Sequence, residues 1–172
     1  TDSLVDSLYR GTLQRNFQGY STGAECDLVG LGMSAIGMVG DTYSQNVKTL
    51  HEYSARMDSG QLAVSRGLVM NDDDQVRRTL LQQLTCQGRV SYHIYEQHFG
   101  IDFQHYFAAE LRALEKMTRD GLIRMDQEGF LLTPAGRLLM RAVAMIFDGY
   151  LQRQRTSKDL PADQVGRFSR VI

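Results

Sequence analysis

Several things are scarce in this 172-residue sequence, which has no tryptophan, two prolines and two cysteines and carries a net charge of only −1. The two cysteines, Cys26 and Cys86, are too far apart in sequence to suggest a disulfide framework, which favours reduced thiols in a cytoplasmic protein. We expect Cys26 to be a small buried side chain. The near-neutral charge argues against a nucleic-acid partner, and no apolar run reaches the roughly eighteen residues of a membrane span.

Glycine is dense between Arg15 and Tyr53, where six of the sixteen glycines lie. Each glycine inside a helix costs about 1 kcal/mol relative to alanine, so we predict short strands and tight turns here. The strand candidates are Leu28–Leu31 and Ala35–Val39. Two interpretations stay open. The glycines either let a ligand approach the backbone of a binding-site wall, or only permit tight turns in a compact β-layer.

Other candidate sites are weaker. The segment Gly30-Leu31-Gly32-Met33-Ser34-Ala35 fits a dinucleotide fingerprint, but the required helix would run through Gly37 and Gly40. The four histidines form no pair at metal-binding spacing, and Asp72-Asp73-Asp74 is better explained as the acidic first turn of a helix. We therefore predict neither a catalytic group nor a metal ligand in this chain.

The first part of the chain shows clear helix boundaries. A helical pattern from Ser3 to Leu13 should end near Gly11. Thr49 followed by Glu52 predicts a capped helix that stops at Gly60. We interpret Gln61–Met70 as a connector.

The second part reads as helices followed by a hairpin and a closing helix. Asn71 should cap a helix to Gln87, and further helices should occupy Ser91–Phe99 and a stretch from Asp102 to Gly121. A hairpin over Leu122–Thr133 and a helix from Thr133-Pro134 to Tyr150 follow. This order is winged-helix-like. The polar face of the third helix has mixed charge, so we do not favour DNA binding.

Three motifs, RNFQGYST, DLVGLGMSAIGMVGDTYSQN and the terminal RFSRVI, resemble the carboxyl-terminal part of oxygen-independent coproporphyrinogen III oxidase, a radical S-adenosylmethionine enzyme of haem synthesis. The resemblance extends from about Arg10 to Ile172. It implies an α+β fold in which residues 1–60 form the carboxyl-terminal end of a radical-SAM barrel. Residues 61–151 would form a mainly helical, winged-helix-like domain, and residues 152–172 a tail.

The resemblance also implies a reaction, the oxidative decarboxylation of two propionates of coproporphyrinogen III to give protoporphyrinogen IX. A 5′-deoxyadenosyl radical made from S-adenosylmethionine at a [4Fe–4S] cluster would abstract the substrate hydrogen. The family holds that cluster with a C-x-x-x-C-x-x-C motif that this chain lacks. The ligands would lie outside the chain, and the chain alone should be inactive.

Three residues correspond to family positions beside a second S-adenosylmethionine: Phe17 and Gln18 of the NFQGY motif, and Ile36 of the S-A-I segment. An aromatic face and a branched apolar side chain suit a purine or a methyl sulfonium, and an amide suits its polar groups. The alternative that Phe17 and Ile36 are ordinary core residues stays open.

The sequence leaves two alternative functions open: a haem or tetrapyrrole chaperone of the same ancestry, and a winged-helix regulator. The chain begins within a helical pattern, so we expect it to be a fragment of a longer protein. We expect that parent protein to be monomeric and cytoplasmic. A barrel edge separated from its neighbours leaves unpaired strand amides, and we expect the fragment to self-associate. Light scattering tests this expectation, and a monomer that persists at all concentrations would contradict it.

Overall fold

The computed structural model describes residues 2–23 and 26–156, with side chains up to residue 153. This part of the chain is mixed helix and strand, as predicted, and it divides into two compact units between Val76 and Arg77. None of the described helices is long and apolar enough to cross a membrane. Most of the predicted tail, including the terminal RFSRVI motif, lies outside the described residues.

The first unit contains two helices, a hairpin and a small sheet. Its elements are α1 (Ser3–Arg10), β1 (Gln14–Asn16), β2 (Gly19–Ser21), β3 (Ile36–Val39), β4 (Thr42–Asn46), α2 (Leu50–Asp58) and β5 (Val64–Val69). The strands β1 and β2 form an antiparallel hairpin, while β3, β4 and β5 form an antiparallel sheet in that order. The strand predicted over Ala35–Val39 is confirmed as β3.

The helices of this unit end where the capping chemistry predicts. Gly11 terminates α1 with a left-handed φ of 74°. The Thr49 hydroxyl oxygen accepts a hydrogen bond from the Glu52 amide at 3.3 Å, and the hydroxyl donates to the Glu52 carboxylate at 2.8 Å. Gly60, with φ 68°, follows the end of α2. These contacts satisfy backbone groups that a helix end leaves free.

Three predictions for the first unit are wrong. The expected connector Gln61–Met70 contains β5, whose six residues are all exposed, so no alternation of buried and exposed side chains identifies it. The strand expected at Leu28–Leu31 reduces to a single bridge, in which Leu28 and Met38 exchange two backbone hydrogen bonds of 2.7 Å. Cys26 is exposed instead of buried.

The second unit is mainly helical and contains one three-stranded sheet. The helix α3 (Asp72–Gln87) spans the division between the units. The elements that follow are β6 (Arg89–Ser91), α4 (His93–Phe99), α5 (Phe103–Tyr106), α6 (Ala108–Arg119), β7 (Ile123–Met125), β8 (Gly129–Leu132), α7 (Pro134–Leu138), α8 (Met140–Ala144) and α9 (Gly149–Thr156). The sheet is antiparallel, with β8 between β6 and β7.

Capping residues also set several boundaries here. At the start of α3, the Asp74 amide donates to Asn71 Oδ1 at 2.9 Å, and the Asn71 amide donates to Asp74 Oδ2 at 3.1 Å. The β7–β8 hairpin closes through Asp126, whose Oδ1 accepts from the amides of Glu128 and Gly129, both at 2.9 Å. The predicted cap of α3 and the predicted hairpin are both confirmed.

Two long helices predicted from periodicity are broken in the structure. The stretch from Asp102 to Gly121 divides into α5 and α6 at Phe107, which has φ −102° and ψ 26°. The helix predicted from Thr133 to Tyr150 divides into three, with the first break at Leu139. Neither break occurs at glycine or proline, so local propensity does not indicate it.

The core of the second unit is an aromatic chain. Phe103 packs against Tyr92, Tyr95 and Phe107, with ring centroids 4.4, 4.7 and 4.8 Å apart. Phe147 continues the chain by contacting Phe107 at 5.6 Å, and it also stacks on Phe130 of β8 at 5.7 Å. Stacked, tilted and edge-on ring pairs of this kind add to the burial of apolar area that stabilises the unit.

Tyr95 provides a test of this core. It is fully buried, and its hydroxyl has no hydrogen-bond partner in the described part of the chain. An unsatisfied buried hydroxyl costs about 1–3 kcal/mol. The Tyr95→Phe variant should therefore match the wild-type free energy of unfolding or exceed it by about 1 kcal/mol, as measured by urea unfolding at neutral pH.

The same variant should change the response to alkali. Burial raises the pKa of the Tyr95 hydroxyl above its ordinary value. Because the native pKa is raised, the associated stability is complete below the unfolded-state pKa of about 10 and is lost as pH rises above it. Tyr95→Phe should reduce this alkaline loss, whereas Tyr9→Phe at an exposed position should not. A loss of stability at neutral pH in Tyr95→Phe would contradict the conclusion that the Tyr95 hydroxyl is buried without a hydrogen-bond partner in the described part of the chain.

Candidate functional site

The β1–β2 hairpin presents two of the predicted site residues at its tip. Asn16 and Gly19 are the last paired residues, so Phe17 and Gln18 form the turn between them. The Asn16 side-chain oxygen accepts hydrogen bonds from the Gln18 amide at 2.8 Å and the Gly19 amide at 3.1 Å. This Asx turn holds the backbone without using either tip side chain.

Phe17 contacts the β3–β4–β5 sheet through Tyr43. Its ring meets the Tyr43 ring edge-on at 6.0 Å, and 65% of Phe17 remains exposed. Tyr43 of β4 pairs with Met38 of β3, and the next pair on the same face is Ile36 with Gln45. The structure therefore brings Phe17 to the sheet face that carries Ile36.

Gln18 is exposed at the tip, and only its backbone amide is engaged. Within the described residues, its side-chain amide makes no hydrogen bond. Ile36 itself is half-buried. Phe17 and Ile36 thus both keep accessible surface, which is extensive for Phe17 and partial for Ile36.

Polar side chains that sequence reasoning missed lie beside Ile36. Gln45, the residue opposite Ile36, donates through Nε2 to the Ser34 carbonyl at 3.2 Å and accepts from Arg66 Nε at 2.8 Å. These contacts hold an amide and a guanidinium next to an apolar side chain. Only the pairing of β3, β4 and β5 reveals this arrangement, because the three residues are remote in sequence.

The glycine-rich loop before β3 is built from close backbone approaches. A Cβ on Gly30 would lie 2.9 Å from the Ile36 carbonyl, and one on Gly37 would lie 2.8 Å from the Leu28 oxygen. Asn46, which is buried, donates through Nδ2 to the carbonyl oxygens of Gly30 and Gly32, at 3.0 and 2.9 Å. A strand rather than a helix follows this loop, so the dinucleotide fingerprint is excluded.

The loop has a second anchor, which no local sequence pattern indicates. The Gly32 amide donates to the Tyr53 hydroxyl at 3.0 Å, which links the loop to α2. Ser34 sits beyond it with a positive φ of 60°, an uncommon value outside glycine. The Ser34 carbonyl accepts the hydrogen bond from Gln45, so the residue with this uncommon backbone conformation is also tied to β4.

The donor set suits an organic cofactor better than a metal. Across the described residues, no three His, Cys, Asp or Glu side chains come together as a metal site. Around Ile36 the chain offers an aromatic ring, amides and apolar surface instead. Such groups can hold an adenine ring or a methyl sulfonium by stacking, cation–π attraction and hydrogen bonds.

Comparisons with known proteins bear on these observations. Residues 70–139 match the family described as the HemN C-terminal domain. The chain is 49% identical over 171 residues to the oxygen-independent coproporphyrinogen III oxidase of Pseudomonas aeruginosa, a match that covers 99% of the chain and 35% of that protein. The oxidase of Escherichia coli strain K12 is 39% identical over 171 residues, covering 99% of the chain and 36% of that protein.

A solved structure agrees with these relatives. That structure is described by the words "Coproporphyrinogen III oxidase (HemN) from Escherichia coli is a Radical SAM enzyme". It superimposes on this chain with a TM-score of 0.82 and is 42% identical to it in sequence. The match covers 87% of this chain and 35% of that one, so the chain spans about a third of the proteins it resembles. The resemblance first seen in the NFQGY and S-A-I motifs is confirmed: residues 70–139 match the HemN C-terminal domain family, and the chain is similar over nearly its whole length to part of the oxygen-independent coproporphyrinogen III oxidases.

Proposed function

We propose that this chain is the carboxyl-terminal part of a cytoplasmic, monomeric oxygen-independent coproporphyrinogen III oxidase. The parent would convert two propionates of coproporphyrinogen III to vinyl groups and so produce protoporphyrinogen IX. The observation that carries the proposal is the contact of Phe17 with the sheet face that holds Ile36, in a chain 49% identical to such an oxidase.

The proposal extends to the finer architecture. Residues 1–60 form the last portion of a radical-SAM barrel, residues 61–151 a winged-helix-like domain and residues 152–172 a tail. Sixteen of the 22 exposed large hydrophobic side chains lie at or before Val69, and every residue of β5 is exposed. Such an apolar surface and open strand edge are expected where the rest of a barrel packs.

The winged-helix-like assignment rests on the order of elements in the second unit. Three helical segments, α3, α4 and α5–α6, precede the β7–β8 hairpin, and β6 completes the sheet. This arrangement supports a scaffold role for the domain. The self-association expected of the fragment follows from the open edge of β5 rather than from this domain.

Phe17, Gln18 and Ile36 would border a second S-adenosylmethionine. The exposed Phe17 ring would pack on the adenine or the sulfonium, the Gln18 amide would hydrogen-bond the cofactor, and Ile36 would supply apolar contact. The amide of Gln45 lies beside Ile36 and is already held by Arg66. Preorganised polar groups of this kind orient a ligand at little entropic cost.

The [4Fe–4S] cluster does not fit the residues of this chain. The sequence contains two cysteines, one exposed and one buried, and they lie in different units. Cluster binding needs several thiolates together. In the parent, the cluster and S-adenosylmethionine would supply the radical chemistry from ligands elsewhere, and this chain alone would be inactive.

Substitutions in the parent enzyme test the assignment. Gln18→Ala should weaken cofactor binding about threefold to tenfold, because each hydrogen bond contributes about 0.5–1.5 kcal/mol. Ile36→Asp should weaken it more, because it places a carboxylate in an apolar wall. The measurements are porphyrinogen turnover against S-adenosylmethionine concentration and the iron content of the enzyme, which should not change.

The controls separate binding from folding. Gln14→Ala removes a side-chain amide of the same type from the other end of the hairpin and should leave turnover unchanged. Ile36→Val keeps apolar contact and should retain most activity, while the thermal midpoint of each variant reports unfolding. If Gln18→Ala and Ile36→Asp kept full turnover at limiting cofactor, these residues would not border it.

A further inference from the structure

The sheet of the second unit has one buried face and one exposed face. Val90, Ile123, Phe130 and Leu132 are all less than 4% exposed and point into the core. The residues between them point to the opposite face, because side chains alternate along a strand. That outer face is not covered by any described helix, since its central residue, Leu131, stays 42% exposed.

A straight row of three residues crosses this outer face. Arg89 of β6 and Arg124 of β7 both pair with Leu131 of the central strand β8. All three side chains are exposed. Because neighbouring strands lie about 4.8 Å apart, the backbone positions of the two arginines are about 10 Å from each other.

Arg89 and Arg124 have no side-chain partner among the residues that the structure describes. In the described part of the chain, neither guanidinium makes a hydrogen bond or an ion pair. Arg137 adds a third positive charge near Arg89, since its guanidinium lies against Gly88 and donates to the Gln87 carbonyl at 3.2 Å. Exposed guanidinium groups that form no ion pair with the described residues keep all their hydrogen-bond donors available for an anionic ligand.

We propose that the row Arg89–Leu131–Arg124 binds two carboxylates of a tetrapyrrole that carries four propionate side chains. This inference rests on the proposed function, because it identifies a surface for the same class of substrate. A guanidinium receives a carboxylate through two parallel hydrogen bonds. The Leu131 side chain, which lies between the two guanidinium groups, offers apolar contact to the ring substituents.

A tetrapyrrole fits this row better than a nucleic acid. The chain as a whole carries a net charge of −1, and the polar face of α6 mixes both signs. Nucleic acid would require a longer basic surface that follows the phosphate backbone. Two arginines separated by an apolar residue match instead a compact apolar ligand with carboxylates at its edges.

Binding to the 172-residue chain tests the row directly. The probe is coproporphyrin III, the fluorescent oxidised form that retains all four carboxylates. Arg89→Gln and Arg124→Gln should each weaken binding about threefold and the double variant about tenfold, as expected for exposed charge pairs. Arg112→Gln, which removes an exposed arginine from α6, should change nothing.

Two further measurements distinguish carboxylate recognition from apolar adsorption of the porphyrin ring. Coproporphyrin tetramethyl ester lacks carboxylates and should not compete, and added salt should weaken binding by the wild type more than by the double variant. Equal binding by the wild type and the double variant would overturn the proposal. So would displacement of the porphyrin by a short DNA duplex, because the row would then bind phosphates.

The full-length enzyme separates this proposal from the proposed function. The Arg89→Gln/Arg124→Gln variant should raise the KM for coproporphyrinogen about tenfold while kcat and the KM for S-adenosylmethionine stay constant. If the variant turned over coproporphyrinogen with an unchanged KM, the proposed role of the row would be wrong and the proposed function would stand. A wild-type enzyme without that turnover would overturn the proposed function.

Discussion

Replacing Glu110 by alanine should lower the free energy of unfolding by about 3 kcal/mol, because it removes the buried carboxylate that pairs with the Arg77 guanidinium. Arg77 Nη1 donates to Glu110 Oε1 and to the Phe147 carbonyl, both at 3.0 Å, and its guanidinium lies 5.3 Å from the centre of the Phe107 ring. The loss should fall at the low end for buried pairs, since the Arg77 side chain is 16% exposed.

A double-mutant cycle separates the pair from the packing around it. Replacing both residues with apolar ones, Arg77→Met and Glu110→Leu, should cost much less than Glu110→Leu alone, because neither charge of the pair remains. Guanidinium chloride would mask the charges, so urea is the denaturant of choice. If Glu110→Ala stayed within about 0.5 kcal/mol of the wild type, the ion pair would contribute nothing to the unit.

The second large effect is expected at Gly136 in α7. Alanine in a helix is normally favoured over glycine by about 1 kcal/mol. At Gly136, however, the added Cβ would overlap the carbonyl oxygen of Leu122, a backbone atom that cannot rotate away. We expect Gly136→Ala to destabilise the chain by about 3 kcal/mol, since α7 must move off the start of β7.

Ala135 provides the matched control. It is an exposed neighbour in the same helix, so Ala135→Gly should lose only the propensity difference of about 1 kcal/mol. Thermal unfolding followed by circular dichroism measures both variants. A stable Gly136→Ala protein would show that α7 does not approach Leu122 as closely as described.

Local chemistry explains which parts of the fold were predictable. The caps at Thr49 and Asn71 and the turn at Asp126 each involve residues within three positions of one another, so a short stretch of sequence contains the whole interaction. The break at Phe107 is different. It depends on packing among Phe103, Phe107 and Phe147, and no local residue preference opposes a continuous helix there.

The candidate site was predictable only in part for the same reason. The resemblance pointed to Phe17, Gln18 and Ile36, and Asn16 followed by Gly19 is a recognisable turn pattern. Tyr43 and Gln45 could not be identified, because their roles depend on which residue of β3 lies opposite each of them. A shift of one residue in that pairing would place both side chains on the other face.

The hydrogen bonds of Asn16 divide the hairpin tip into two kinds of position. Asn16 sets the backbone of the turn, whereas the side chains of Phe17 and Gln18 take no part in closing it. Substitutions at positions 17 and 18 can therefore change the ligand preference during evolution without disrupting the turn. Divergent descendants of this hairpin should retain the asparagine and vary at the tip, and a redesign for another ligand should begin with those two codons.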